Sequence, residues 1–158
     1  MKNERFFLDE IEFYGYELEV DLNDVGKSDF KSLWERLDKV AEGFNLDDDM
    51  FFIGYEDYRE MTPKNRSFKY YAMLPGKYFD KKPENMVSIK LEKGEYIRFE
   101  SRFPTHGPNV FQGAYKYLDN NKISYDNRFD FELIPRDSHP NANIDDDNSI
   151  LYVGLKLK

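Results

Sequence analysis

The chain has 158 residues, no cysteine, 31 acidic against 23 basic side chains for a formal net charge of −8, and 17% aromatic residues. That length buries a hydrophobic core without covalent staples, and the missing thiols exclude disulfides, thiolate catalysis and cysteine-based zinc sites. The negative field repels phosphate backbones, no window approaches the roughly 18 apolar residues of a membrane span, and the first apolar run is too short for a secretion signal, so a soluble, cytoplasmic protein without a nucleic-acid or membrane partner is expected.

In chain order, residues 11–20 alternate in their second half and predict a first strand, bounded by a turn-prone segment over 21–26. Ser28 is the expected N-cap of a helix whose apolar residues, Phe30, Leu33, Trp34, Leu37, Val40, Ala41 and Phe44, recur at three- and four-residue steps. Residues 50–55 and 68–74 predict two strands across a polar connection, and the Pro- and Gly-bearing segment 75–85 divides the chain. The order then repeats. A strand over 86–100, bent near Lys93-Gly94, precedes a loop over 103–109 and a shorter amphipathic helix carrying Phe111, Ala114, Tyr115 and Leu118. Strands over 129–134 and 150–157 close the chain, separated by a polar loop over 135–149. Strand, helix, strand, strand in each half predicts an α+β fold of duplicated βαββ units within one domain spanning 1–158, with half-repeats at about 5–75 and 86–158. Two small antiparallel sheets, each with a helix on its outer face, would leave their other faces to form a central ligand groove.

The functional signal is Glu132, a carboxylate inside the otherwise aromatic and aliphatic run Phe129-Asp-Phe-Glu-Leu-Ile134. Burying an acid costs several kcal/mol, of the order of the penalty for an unpaired ion, unless a cation, a donor or water meets it, and a ligand is the explanation preferred here. With period two, Phe129, Phe131 and Leu133 face a core while Asp130, Glu132 and Ile134 face away. In the last strand Leu151, Val153, Leu155 and Leu157 form an aliphatic row suited to the helix side. Tyr152 and Gly154 take the other face, and Tyr152 is expected to share it with Glu132 as a small binding constellation.

The sequence resembles the GyrI-like small-molecule-binding domains, the effector-binding module of many bacterial multidrug-responsive transcription regulators, in its stand-alone form. The matching features run almost the length of the chain: Leu33-Trp34 in the first helix, Phe52-Ile-Gly54-Tyr55 followed by Phe68-Lys-Tyr-Tyr-Ala72, Ile89-Lys-Leu-Glu-Lys-Gly94-Glu-Tyr96, Tyr117-Leu118, and Phe131-Glu132. The resemblance implies a groove for lipophilic, often cationic compounds, with aromatic side chains around a central glutamate that matches Glu132. Tyr152 matches an aromatic of the last strand, and Tyr71, Tyr55 and Tyr16 are candidates from the first half. Trp34 belongs to the core. Tyr117 stands where relatives often carry Trp, and the chain opens at the first half-repeat without a helix-turn-helix, so direct DNA binding is not implied.

Other signals are weak. Gly26-Lys-Ser28 lacks the earlier glycine of a phosphate-binding loop, Asp47–Asp49 and Asp145–Asp147 lack calcium-loop spacing, and His106 and His139 lie far apart in the sequence. No cofactor or metal is expected. Three functions stay open: binding or sensing of a lipophilic, cationic small molecule; hydrolysis of electrophilic small molecules with Glu132 as base and Tyr152 as donor; and an acidic interaction surface for a regulator or a gyrase-type protein. The first is preferred, because no unmistakable nucleophile appears.

Overall fold

The computed structural model describes residues 1–102, 108–138 and 150–158. Among the described residues eight strands and two α-helices run in the order β1 (Asn3–Leu8), β2 (Ile11–Asp21), α1 (Phe30–Ala41), β3 (Phe51–Asp57), β4 (Ser67–Pro75), β5 (Val87–Leu91), β6 (Gly94–Arg102), α2 (Pro108–Asn120), β7 (Phe129–Pro135) and β8 (Ile150–Lys156). The strands form one curled antiparallel sheet in the order β1-β6-β8-β7-β3-β4-β2-β5. The fold is thus α+β with two βαββ units, β2-α1-β3-β4 and β6-α2-β7-β8, and their sheets join edge to edge where β3 pairs with β7.

Several expectations are sharpened. A first strand, β1, precedes the predicted one and pairs with β6. The strand expected over 86–100 is two: β5 pairs with β2 at one edge of the sheet, whereas β6 pairs with β1 and β8 near the other. The break falls at Gly94, whose φ of 158° is one that side chains rarely allow. The cap of α1 is Asp29, not Ser28: its carboxylate accepts from the Ser32 N–H at 3.0 Å, while the Ser28 N–H closes the preceding turn onto Val25. His106, His139, Asp145–Asp147 and most of the loops over 103–109 and 135–149 lie outside the described residues.

Both helices lie on one face of the sheet. Leu33, Trp34, Leu37 and Ala41 of α1 pack on Tyr16, Val20, Phe52, Phe68, Tyr70, Ala72, Leu74 and Ile134. Val110, Ala114 and Leu118 of α2 pack on Ile97, Phe99, Val153, Leu155 and Leu157, the row expected on the helix side. The opposite face carries its own core of Phe13, Ile53, Tyr55, Tyr71, Met73, Leu91, Tyr96, Phe129, Phe131 and Leu133, which the curl of the sheet lets it bury without a helix. Among the described residues no helix is long and apolar enough to cross a membrane.

Candidate functional site

Register decides which side chains meet. Gly54 lies opposite Glu132 where β3 pairs β7, and Glu132 lies opposite Val153 where β7 pairs β8. Val153 packs beneath α2, so Glu132 belongs to the helix-bearing face, over the seam between the two units. Tyr152 lies opposite Leu133 and therefore points to the other face. The expectation that Tyr152 shares a face with Glu132 is corrected: the aliphatic row of β8 and the glutamate project together, on the face that carries the helices.

Glu132 is half-buried, and its Oε1 accepts from the Tyr70 hydroxyl at 3.1 Å. The Tyr70 oxygen in turn accepts from the Trp34 indole N–H at 3.3 Å, and the Phe30 ring meets Tyr70 edge-on with centroids 4.9 Å apart. Gly54 makes this possible. A Cβ there would lie 2.9 Å from Glu132 Oε1 and closer still to the Tyr70 hydroxyl, so a glycine in the central strand is the floor on which both polar groups rest. Burial, and next the charge of Glu56, push the Glu132 carboxyl up to about 7, against the Tyr70 hydrogen bond, which favours the charged form. At neutral pH it is therefore poised between acid and anion.

One step along the strands, Glu56 lies opposite Asp130 on the same face. The Tyr58 hydroxyl donates in a short contact to Glu56 and lies 3.0 Å from Asp130 Oδ2, and the Tyr115 hydroxyl of α2 donates to the same Oδ2 at 2.6 Å. Desolvation raises both carboxyls, Asp130 to about 6; the charge of Asp130 pushes Glu56 up further, while hydrogen bonds with Tyr115, Glu56 and Tyr58 hold Asp130 back. Three carboxyls and three phenols thus line one strip between the helices. Among the described residues no lysine or arginine forms an ion pair with Glu132, Glu56 or Asp130. No group of side chains suited to a metal occurs among the described residues.

Of the residues chosen from sequence, the structure brings only Glu132 and Tyr16 to this face, and they stand three strands apart, linked by the row Tyr16, Ala72, Gly54, Glu132. Tyr16 is buried under the Arg36 guanidinium, 3.8 Å from its ring centroid. Tyr152 faces the other way, under the Arg98 guanidinium at 4.3 Å, with Phe51 edge-on. Tyr55 and Tyr71 lie on that opposite face too, where Tyr55 accepts from Arg59 at 3.2 Å. Gly154 is closely approached by the Phe131 ring. Sequence reasoning missed Tyr70, Tyr58, Tyr115 and the Glu56–Asp130 pair. Trp34 is in the core as expected, and it also anchors Tyr70. The available signal was Gly54 inside a strand pattern, since a glycine there marks a close approach.

A continuous antiparallel sheet of two βαββ units with both helices on one face is the GyrI-like α+β fold of effector-binding domains. The chain belongs to the Cass2 family, integron-associated effector binding proteins, whose model matches residues 7–150. No functionally curated protein matches the sequence. Among solved structures, SAV2435 bound to tetraphenylphosphonium is similar at 15% identity, covering 100% of this chain and 94% of that one with a TM-score of 0.73. The C-terminal domain of EcmrR matches at 9% identity over 99% and 97% with a TM-score of 0.67. A hydrolase encoded by lin2189 from Listeria innocua matches at 13% over 99% and 92% with a TM-score of 0.55.

Proposed function

We propose that the protein binds a lipophilic organic cation between its two helices, as an effector-binding or sequestering protein, with Glu132 as the countercharge. Tyr70 and Trp34 orient the carboxylate, and the half-buried rings of Phe30 and Tyr115 stand at the margins. The observation that carries this reading is Glu132 itself: a carboxyl on a packed face, held by one phenol and by no basic side chain among the described residues. Such a group gains most from a cation that arrives with its own apolar surface, because the ligand supplies the missing charge and excludes water at once. The tetraphenylphosphonium in SAV2435, a protein of the same fold, is a ligand of that chemistry.

The test is thermal unfolding of wild type and Glu132→Gln with tetraphenylphosphonium and with neutral triphenylphosphine oxide. A ligand at 100 times its Kd adds about 2.7 kcal/mol, roughly 5–10 °C for a chain of this size. The cation should shift the wild type and not the variant, and the neutral compound should shift neither by much. Equal shifts in both proteins would remove Glu132 from the site.

A second reading rests on the same carboxyl. Poised near 7 beside a phenol, Glu132 has the acidity of a general base, with Tyr70 in the donor role that sequence assigned to Tyr152. If the protein hydrolyses its ligand, Glu132→Gln abolishes turnover of bound electrophiles while leaving neutral ones bound. If it only binds, no product forms with either protein.

A further inference from the structure

The opposite face of the sheet carries an opening of a different character. At the end of the β3–β4 hairpin a cavity of about 110 Å³ is lined by Glu19, Asp57, Glu60, Asn65, Lys69 and Tyr71 among others. Glu19, Lys69 and Asp57 lie directly across from one another on β2, β4 and β3, and Tyr71 is the next residue of β4 on that face. Asp57 is already engaged by Arg59 at 3.2 Å. Among the described residues Glu19, Glu60 and Lys69 form no ion pair.

Tyr71 distinguishes this place from an ordinary acidic surface. It is only 6% exposed, yet its hydroxyl makes no hydrogen bond among the described residues. The ring is packed, while the hydroxyl opens on the cavity, where water can serve it and a ligand can take the water's place. Here the phenol lines the cavity with carboxylates around it. Burial first, then the charges of Glu17, Asp57 and nearby Glu60, push it up to about 12, so it keeps its proton and offers oxygen lone pairs. With Asp57 matched by Arg59, the carboxylates of Glu19 and Glu60 against the one ammonium of Lys69 leave the cavity net negative and cation-seeking.

We propose that this cavity is a second binding site, separate from that between the helices, which takes a primary alkylammonium group held by Glu19, Glu60 and the Tyr71 hydroxyl. Size sets the class. At about 110 Å³ the cavity is well below the roughly 300–1,000 Å³ of pockets that enclose drug-sized ligands, which suits an ammonium and its first methylenes better than a triaryl cation. An ammonium also has the three N–H donors that two carboxylates and a phenol oxygen can accept, which a quaternary or phosphonium cation lacks. Lys69 competes as the resident charge, so its removal should favour the ligand.

The experiment is a titration of the full, nitrogen-15-labelled chain with 1,4-diaminobutane, read at backbone amides, with sodium chloride at matched ionic strength as control. Saturable shifts at Glu19, Asp57, Ser67 and Tyr71 are expected. Tyr71→Phe should weaken binding about tenfold, as for loss of one hydrogen bond to a charged donor, and Lys69→Met should tighten it severalfold. Neither variant should alter stabilisation by tetraphenylphosphonium, whose site is on the other face. Non-saturating shifts, shifts reproduced by salt, or identical curves for wild type, Tyr71→Phe and Lys69→Met would overturn the proposal, whatever the outcome at Glu132.

Discussion

Two carboxyl-bearing rungs lie side by side where β3 meets β7, and the protein treats them differently. At one, Glu56 faces Asp130, two phenols donate into the pair, and Asp130 is 1% exposed. At the next, Glu132 faces Gly54, one phenol donates, and the carboxyl stays half-buried. The rungs are related by the local two-fold of the paired strands, so the second is the place where symmetry is broken: an acid on one strand and an empty Cβ position on the other. The first rung is satisfied from within the chain. The second holds its carboxyl by one hydrogen bond from Tyr70 and by no basic side chain among the described residues.

The largest way to break this contrast is to fill the space. Gly54→Ala places a methyl against Tyr70 and the Glu132 carboxylate and should cost about 2–3 kcal/mol in chemical denaturation, as for overpacking, with cation binding lost. Next in size is Asp130→Ala, which strips the acceptor from Tyr115 while Tyr58 keeps Glu56; about 2 kcal/mol of stability should go, since a buried donor is left unpaired. Glu132→Gln should lose no stability at neutral pH. If Asp130→Ala were harmless and Glu132→Gln destabilising, the roles assigned to the two rungs would be exchanged.

The acidity of the rungs gives a third prediction. Glu132 and Asp130 are raised above ordinary carboxyls, to about 7 and about 6, and Glu56 is raised as well, so the folded protein holds these protons more tightly than the unfolded chain. Stability from this source is fully present below the unfolded values and is lost as pH climbs through the folded ones. Asp126, lowered to about 2 by Arg128, acts in the opposite sense, and its contribution fades as pH falls toward 2. The ligand-free protein should therefore be most stable near pH 4, just where the unfolded carboxyls begin to titrate, and lose on the order of a few kcal/mol by pH 8. In Glu132→Gln the slope should flatten, making the variant the more stable protein at pH 8; a wild-type stability that rises from pH 5 to 8 would refute the shifted acidities.

Much of the architecture was legible in the sequence because each signal was local. The 3–4 spacing of Leu33, Trp34 and Leu37, the aliphatic row of β8 and the period of β7 each predicted their own element. The division of residues 86–100 into β5 and β6 was not, because the two strands go to opposite edges of the sheet through contacts with β2 and β1, which no local pattern contains. The site was half legible. Glu132 stood out as an acid in an apolar run, but its companions depend on register across three strands. Expecting Tyr152 on the face of Glu132 turned the choice toward Tyr152, Tyr71 and Tyr55 and away from Tyr70, whose face is shown only by Ala72 lying opposite Gly54.

The smallest effect sharpens the contrast most directly, because it changes one hydrogen bond at the second rung. Tyr70→Phe removes the donor that favours the charged form of Glu132, so the carboxyl should rise further above 7. A cation prefers the anion, so wild-type affinity for tetraphenylphosphonium should grow as pH climbs through about 7, and binding at neutral pH should release part of a proton to the buffer. In the variant that midpoint moves upward, by about one pH unit for one hydrogen bond. The Trp34 indole N–H loses its acceptor at the same time, and a stability cost of about 1 kcal/mol should accompany the shift. Calorimetric titrations in buffers of different ionisation enthalpy measure the proton released. If Tyr70→Phe lowers stability yet leaves the pH midpoint of binding where it was, Tyr70 only props up Trp34 and the core; if the midpoint moves, the phenol sets the charge on Glu132 that the ligand meets.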